Sequence, residues 1–318
     1  MGDTNDYRMA TTETALRRSL DDRGGTLILT LDPAFQGLPD TAHGGSVLAA
    51  FDALAGLAGP REIAGLYRKR VPLATPLSLA VARADSAHTF VLSDEDGHVL
   101  VDGRVAPAAD GRPGVPGPLL DHASNRPDGG RFRRVAPGDA QKLRVSEGAR
   151  GAGASHPLPV SRACFACGTD NPLGLRVQLE FDDADVHGTW RAREPFRTDG
   201  GALATAALTT LCDEAAFWLG ALATGESGMT TDLRVTLHRA VPYGSAIVVT
   251  GARAAARPQA DPRYWDTAVE ARTADGAVIA SASITFVAIR GAARRLVTGM
   301  LAINEPAVVS RVFPAYAR

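Results

Sequence analysis

The sequence predicts an α+β fold that is made twice, as two tandem copies of one domain. In the first half, Phe35 is followed eight residues later by His43, and an apolar run from His43 reaches Asp52 nine residues further on. The same spacings recur in the second half at Phe196, Ala204 and Asp213. In each half, one helix-length apolar run precedes several short strand-like runs, which is the order of an α+β domain. A pattern that recurs in order along a chain indicates an internal duplication.

The composition fits two domains of ordinary size and gives no global charge. The chain has 318 residues, 45% of them hydrophobic, and its 34 basic and 35 acidic residues leave a net charge of −1. Such a chain has no field that would draw it to nucleic acid or to an anionic membrane, so we expect neither as a partner. Three cysteines are too few for a disulfide scaffold, and they indicate a reducing, cytoplasmic location.

The first copy is predicted over residues 25–106. Apolar and small residues recur at helical spacing over residues 43–57, and because this helix carries few charges on any side, it should be largely enclosed. The Asp96-Gly97 turn is a hairpin signal between the last two strands. The strands of this copy are expected at residues 26–31, 63–71, 77–84, 89–92 and 98–105.

The second copy is predicted over residues 161–290. Its helix is expected over residues 203–222, where small and apolar residues again continue at helical spacing. Its strands are expected at residues 175–181, 186–192, 231–240, 246–252, 265–272 and 278–288.

Three segments lie outside the two copies. Residues 1–24 form a polar lead-in with a short helix near residues 14–20, and residues 291–318 form a tail with one short helix. Between the copies, residues 107–160 are dominated by Pro, Gly, Asp, Arg and Ser. This composition buries too little apolar surface to offset the entropy of ordering, so we predict an inter-domain linker there.

Two motifs resemble those of a known family. Phe35-Gln36-Gly37 before His43-Gly44-Gly45, followed by an apolar helix with Asp52, is similar to the hotdog-fold acyl-CoA thioesterases. The run from Cys164 to Leu175, which reads Cys-Phe-x-Cys-Gly and then Asn-Pro-x-Gly-Leu, looks like the lead-in of many members of that superfamily. The resemblance covers both copies. It implies that each copy is a long helix wrapped by an antiparallel sheet and that the copies pair as an intramolecular pseudo-dimer.

The resemblance also implies a function and a site. In members that hydrolyse acyl-CoA or another acyl thioester, the carbonyl lies against a helix N-terminus, whose free N–H groups polarise the oxygen. A carboxylate from the partner copy's helix acts as nucleophile or as base for water. Carried onto this chain, Gly44 and Gly45 polarise the carbonyl and His43 orients the N-terminal turn. Asp213 delivers or activates the nucleophile, and no cofactor or metal is required.

A second site would combine Asp52 with Ala204 and the residues after it, Thr205 and Ala206. This turn lacks the histidine and both glycines, and a Cβ there obstructs the close approach of a thioester to the backbone. Asp52 is therefore a secondary catalytic candidate in a site that we expect to be degenerate. Asp199-Gly200-Gly201 is interpreted as a loop, because it would move the acid from offset nine to offset fourteen.

The chain departs from the family pattern beside Asp213. Some members carry a hydroxyl one helical turn after the carboxylate, but here Phe217 stands at that place. Glu214 offers a second carboxylate, yet adjacent helical residues point about 100° apart. Only one of the two acids is therefore expected to face the cleft.

Other functions compete with the thioesterase hypothesis. A hotdog-type enoyl hydratase or dehydratase needs an Asp and a His where Thr169 and Gly174 stand. Cys164-x-x-Cys167 has zinc-knuckle spacing, but a second ligand pair is missing from the sequence, and a metal-free turn is predicted. A non-catalytic acyl-CoA or lipid-binding module, or a structural pseudo-dimer, is the competing class. Further association of pseudo-dimers into a homo-oligomer stays open.

Overall fold

The structure is a computed structural model that describes residues 10–108 and 154–316. Within these residues the chain forms helices and antiparallel strands, so the predicted α+β fold is confirmed. The helices are α1 (Thr12–Arg18), α2 (Gly44–Ala55), α3 (Thr205–Thr224), α4 (Ala293–Leu301) and α5 (Pro306–Val312). The strands before the undescribed segment are β1 (Leu20–Arg23), β2 (Thr26–Leu29), β3 (Arg61–Tyr67), β4 (Leu77–Ala84), β5 (Ala87–Ser93) and β6 (Val99–Pro107). Those after it are β7 (His156–Pro157), β8 (Glu180–Phe181), β9 (Asp185–Arg191), β10 (Gly228–Leu237), β11 (Ala246–Ala252), β12 (Arg257–Pro258), β13 (Tyr264–Thr273) and β14 (Val278–Ala288).

The two central helices form where the apolar runs predict them, and both are largely buried. α2 ends at Gly56 and α3 at Gly225, each in the left-handed conformation that glycine adopts without a steric penalty. α3 is also long and apolar enough to cross a membrane, but 83% of its most apolar window is buried inside the protein. A core helix meets the same criterion, and the burial of α3 is that of a core helix.

The strands of the described residues form one antiparallel sheet. Its order is β1-β2-β4-β5-β6-β3-β10-β14-β13-β11-β9-β8-β7, with β12 paired to β13. The centre of the sheet is the pairing of β3 with β10, in which Leu66 lies opposite Asp232 and Arg61 opposite Leu237. On one side of this junction the order is β2-β4-β5-β6-β3, and on the other it is β9-β11-β13-β14-β10. Each run therefore has the same connectivity, mirrored across the junction.

The helices pack on one sheet face through large apolar side chains that are accommodated by glycines. Phe51 of α2 stacks on Phe90 of β5, with ring centroids 4.7 Å apart. A Cβ at Gly103 would lie 2.4 Å from the Phe51 ring, so the strand requires a residue without a side chain at that position. On the other half the roles are exchanged, since Gly220 of α3 makes room for Phe286 of β14. Loss of these glycines would push each helix off the sheet.

α2 and α3 touch backbone to backbone near their N-termini. A Cβ added at Gly45 would lie 2.6 Å from the carbonyl carbon and oxygen of Thr209 and from the Cα of Thr210. The Thr209 hydroxyl donates a hydrogen bond of 2.8 Å to the Gly45 carbonyl oxygen. Only a residue without a side chain permits this approach. The contact brings the first turn of α2 against the second turn of α3.

Two predictions about local structure are wrong. Residues 175–181 were expected to form a strand, but only Glu180 and Phe181 do so, because Arg176 has a φ of 54°, outside the range of strands. The tail was expected to hold one helix and forms two, α4 and α5. Phe313, after α5, packs on Trp218 of α3 with ring centroids 6.2 Å apart, so the tail is part of the core.

The predicted linker lies largely outside the described residues, which stop at residue 108 and resume at residue 154. At its edges, Pro107 is the last residue of β6, and His156 and Pro157 pair with β8. The lead-in contains α1 near the predicted place. It is followed by β1, which pairs with β2 as a hairpin that the sequence did not predict.

We predict that Gly45→Ala destabilises the protein, because its Cβ must displace the α3 backbone. The expected loss is about 1–3 kcal/mol of unfolding free energy, measured by urea denaturation. Gly299→Ala is the control, since an added Cβ at Gly299 on α4 meets nothing within 4 Å. Equal stabilities for the two variants would contradict the close helix contact.

Candidate functional site

His43 stands at the start of α2 and is held there by the backbone. It is the N-cap residue, and its N–H donates 2.8 Å to the carbonyl oxygen of Phe35, the residue that begins the repeated pattern. Its side chain is 6% exposed. The corresponding N-cap of α3 is Ala204, whose N–H donates in the same way to Phe196 but which has no side-chain cap. The histidine therefore adds a polar group at one helix start and not at the other.

Asp213 reaches the start of α2 from the middle of α3. Its Oδ2 lies 3.1 Å from His43 Nδ1 and accepts a 3.0 Å hydrogen bond from the Gly45 N–H. Its Oδ1 accepts a 3.0 Å hydrogen bond from the Thr230 hydroxyl of β10. The structure thus brings together the histidine of one half and the acid of the other, as the crossed arrangement requires. Three donors hold the carboxylate in a single orientation.

Glu214 contacts the other side of the same imidazole. Its Oε2 lies 3.4 Å from His43 Nε2, and its Oε1 accepts a 3.0 Å hydrogen bond from the indole N–H of Trp218. The expectation that only one of the two acids faces the cleft is therefore wrong. The imidazole lies between the adjacent carboxylates, so that side chains diverging from neighbouring helical positions reach opposite ring nitrogens.

The surroundings of His43 favour its charged form. Burial lowers the pKa of His43, but hydrogen bonds to Asp213 and Glu214 outweigh it and hold this pKa well above the ordinary value. With both ring nitrogens protonated, Nδ1 donates to Asp213 and Nε2 to Glu214. The Gly45 N–H also lies 3.2 Å from Nδ1. Because a protonated Nδ1 cannot accept, the bond from Gly45 to Asp213 is the one that forms.

Gly44 lies directly against the acid. A Cβ added there would be 2.7 Å from Asp213 Oδ2 and 3.5 Å from the Tyr67 hydroxyl oxygen. The Tyr67 hydroxyl donates 2.6 Å to the Gly44 carbonyl oxygen, and burial raises the pKa of Tyr67 well above its ordinary value. Tyr67 is therefore a neutral donor that fixes the first turn of α2. The Gly44 N–H, in that first turn, has no acceptor within the helix.

These groups line one cavity of about 100 Å³ that opens to solvent. One wall is apolar and consists of side chains from α3, β10 and α4, namely Phe217, Trp218, Met229, Leu296 and Met300. The exposed residues Lys69 and Arg70 also line it. The cavity thus combines an acid, a helix start, an apolar wall and two cationic side chains.

Asp52, the secondary catalytic candidate, is paired with a cation. Arg61, the first residue of β3, donates to Asp52 Oδ1 at 2.5 Å and to Oδ2 at 2.7 Å. The same guanidinium donates 3.0 Å to the Thr205 hydroxyl at the start of α3. Asp52 thus approaches the N-terminus of α3 only through Arg61. A guanidinium fills the place that corresponds to the His43 and Asp213 contact.

His43 and two buried residues beside it have side chains that could together bind a metal ion. His43, Cys164 and Glu214 each present a ligand atom within 4.8 Å of the others, in a search of residues 10–108 and 154–316. Cys167 lies beside Cys164 and lines the same cavity. Cys212, on α3, is a separate buried thiol, and burial raises its pKa to about 12.

Sequence reasoning missed several of these residues. Thr230 lies 17 residues after Asp213 on a different element, so no helical spacing connects the two. Tyr67 and Arg61 lie on β3, and only the sheet brings that strand beneath the helix starts. Residues 230–232 are polar and stand near the start of a strand. This was the only signal in the sequence that could have pointed to Thr230, and it belongs to no motif.

The Asp52–Arg61 pair leads to a stability prediction. Asp52→Asn leaves Arg61, which is 16% exposed, without its charge partner, and we expect a loss of about 2 kcal/mol of unfolding free energy. Glu13→Gln is the matched control, because the Arg17–Glu13 pair is exposed and such pairs contribute less than about 1 kcal/mol. Urea denaturation of both variants is the measurement. A neutral Asp52→Asn change would contradict a stabilising pair.

Comparisons by sequence found no protein-family model and no curated protein that matches this chain. Comparison of structures found many similar chains. One is a protein of Thermobifida fusca, provisionally named a thioesterase II, at 15% identity and a TM-score of 0.55, with 89% of this chain and 100% of that chain covered. Another is a protein of unknown function with a hotdog fold from Alicyclobacillus acidocaldarius, at 15% identity, a TM-score of 0.52, and coverage of 87% and 97%.

A third similar chain is the TesB protein of Mycobacterium avium subspecies paratuberculosis. It is 9% identical, with a TM-score of 0.53, and 87% of this chain and 98% of that chain are covered. Because each likeness extends over most of both chains, it concerns the whole architecture rather than one half. The chain described here has the hotdog fold of these proteins.

Proposed function

We propose that the protein hydrolyses an acyl thioester, with acyl-CoA as the substrate, at the start of α2. The observation that carries this proposal is the contact of Asp213 with the first turn of α2, which joins a carboxylate and free helix N–H groups in one cavity. Thioester hydrolysis needs a donor for the developing oxyanion and a base or nucleophile at the carbonyl carbon. Both kinds of group are present at this place.

The proposal includes the arrangement of the chain as two hotdog copies paired in a pseudo-dimer. It is supported by the mirrored strand order on the two sides of the β3–β10 junction and by the contact between α2 and α3. In such a pair each helix start faces the other helix. A site shared between the copies then needs no second chain.

In the proposed reaction the Gly44 N–H donates to the thioester oxygen. The Gly45 N–H is already bonded to Asp213, whereas Gly44 lines the cavity and has the free N–H of a first helical turn. The missing side chain at Gly44 lets the carbonyl approach beside the carboxylate, because a Cβ there would overlap Asp213 Oδ2. The helix dipole adds positive potential at this place.

Asp213 then acts as the base for water. It accepts a proton while the water oxygen forms a bond to the carbonyl carbon, and the carbon–sulfur bond breaks to release the thiolate and the carboxylic acid product. The Thr230 hydroxyl holds Oδ1, and the His43 Nδ1–H and the Gly45 N–H hold Oδ2. Some family members carry a hydroxyl one helical turn after the acid, where this chain has Phe217. In the proposed site, the Thr230 hydroxyl of β10 takes the place of that hydroxyl. Direct attack by the carboxylate is the other route open to the same atoms.

The cavity accounts for both parts of an acyl-CoA. The apolar wall formed by Phe217, Met229 and Met300 suits an acyl chain. Lys69 and Arg70, exposed on the same cavity, suit the phosphates of coenzyme A, since a guanidinium binds phosphate through paired hydrogen bonds.

We predict that Asp213→Asn lowers kcat for thiol release from an acyl-CoA panel by about 10²- to 10⁴-fold, because the amide cannot take a proton from water. Asp52→Asn is the control, assayed at a temperature where it is folded, and should retain the parental kcat. Loss of turnover in Asp52→Asn with activity kept in Asp213→Asn would assign catalysis to the other helix start. Tight binding of the esters without turnover in the parental protein would replace the enzyme with a binding module.

A second prediction concerns coenzyme A. Arg70→Gln should raise KM for an acyl-CoA by roughly 5-fold, equivalent to about 1 kcal/mol for an exposed ion pair, and leave KM for the acyl-pantetheine ester unchanged. Arg83→Gln is the control, because Arg83 is exposed on β4 and does not line the cavity. An equal rise for both esters would show that Arg70 does not contact the phosphates.

A further inference from the structure

Behind the proposed reaction site lies a compact group of metal-binding side chains. His43, Cys164 and Glu214 each present one ligand atom within 4.8 Å of the others, and all three residues are buried. They come from the start of α2, from the loop before β8 and from α3. The Nε2 and Oε2 atoms are 3.4 Å apart, and two such ligands of a tetrahedral zinc ion are separated by about 3.4 Å. The imidazole and the carboxylate already have the spacing of two zinc ligands.

The loop around Cys164 has the form of a metal-binding turn. The Ala166 N–H donates 3.3 Å to Cys164 Sγ, and the Gly168 N–H donates 2.9 Å to the Cys164 carbonyl oxygen. A Cβ at Gly168 would overlap that carbonyl oxygen, so the turn requires glycine after Cys167. N–H donation to sulfur favours the thiolate, which is the form that binds metals.

Cys167 lies beside this group but is not one of its three members. It is buried next to Cys164, and both line the cavity that holds His43 and Glu214.

The outer contacts of the group also match those of a metal site. Metal-bound histidines usually donate their second N–H to a carboxylate, and metal-bound carboxylates are hydrogen-bonded in turn. Here Nδ1 of His43 faces Asp213 at 3.1 Å, and the Trp218 indole N–H donates to Glu214 Oε1 at 3.0 Å. Neither outer contact uses the proposed ligand atoms, Nε2 and Oε2, which face each other at 3.4 Å.

We propose that this group binds a zinc-type divalent cation through His43 Nε2, Cys164 Sγ and Glu214 Oε2. These three protein ligands would leave the fourth position of a tetrahedral ion open. The ion would replace the Nε2 proton and keep the Nδ1–H directed at Asp213. The proposal stands independently of thioester hydrolysis, because it concerns the opposite side of the imidazole.

The burial of these ionisable side chains is a further reason to expect a bound metal ion. An imidazole, a carboxylate and two thiols are enclosed together here, and enclosing ionisable groups is costly unless they are paired or bind a metal. The knuckle spacing of Cys164 and Cys167 was set aside because the sequence shows no second ligand pair. His43 and Glu214, contributed by two helices distant in sequence, supply two ligands beside Cys164.

The test is a titration of the reduced full-length chain with Co²⁺ after treatment with a chelator. We expect one Co²⁺ per chain, with the absorption bands of thiolate-bound tetrahedral cobalt, and displacement by Zn²⁺. Cys164→Ser should weaken binding by at least about 100-fold, since it removes a first ligand. Cys212→Ser is the control, because that thiol lies outside the group, and should bind as the parental protein does.

Glu214→Gln provides a second ligand variant in case Cys164→Ser does not fold, which circular dichroism would detect. Asp213→Asn separates the two proposals, because it should lose turnover and still bind one Co²⁺, weakened by no more than about 100-fold through loss of an outer contact. Absence of stoichiometric Co²⁺ binding by the parental protein would overturn the metal site. So would thiolate bands that persist unchanged in both Cys164→Ser and Glu214→Gln.

Discussion

The backbone contact between α2 and α3 at Gly45 is the constraint on which the rest of the structure depends. Gly45 has no side chain, so the first turn of α2 lies directly on the carbonyl of Thr209, and the Thr209 hydroxyl closes the contact. Asp213 stands one turn further along α3, which places its carboxylate at the Gly45 N–H. At a greater helix separation the acid would not reach the helix start, and His43 would lie beside an apolar surface.

The N-termini of α2 and α3 have different surroundings. At one end, a histidine caps α2 and Gly44 leaves the backbone open to a cavity. At the other, Ala204 begins α3 without a side-chain cap, and Arg61 occupies the space between Asp52 and Thr205. A guanidinium with two hydrogen bonds to a buried carboxylate gives a closed, paired arrangement. The same geometry therefore supports an accessible acid at one end and an ion pair at the other.

At the open end, the ionisable side chains meet at the imidazole of His43. His43 is enclosed between Asp213 and Glu214, with Cys164 close by. Asp213 faces Nδ1 and Glu214 faces Nε2, so the ring cannot rotate without breaking a contact. In the proposed hydrolysis this rigidity orients Asp213, and in the proposed metal site it presents Nε2 to the ion. His43 would then belong to both the proposed metal site and the proposed reaction site.

The sequence by itself determined the α+β class, the two central helices and most strands, whereas the pairing of His43 with Asp213 was implied by the family resemblance. These features are carried by local periodicity and by spacings repeated between the halves, which persist whatever the tertiary arrangement. The tertiary structure alone decided that Thr230 holds Asp213, that Arg61 closes the site at Asp52, and that Glu214 and Cys164 share His43. Such contacts join elements distant in sequence through a helix crossing and a sheet register. No short-range pattern encodes them, because each depends on where two elements meet in space.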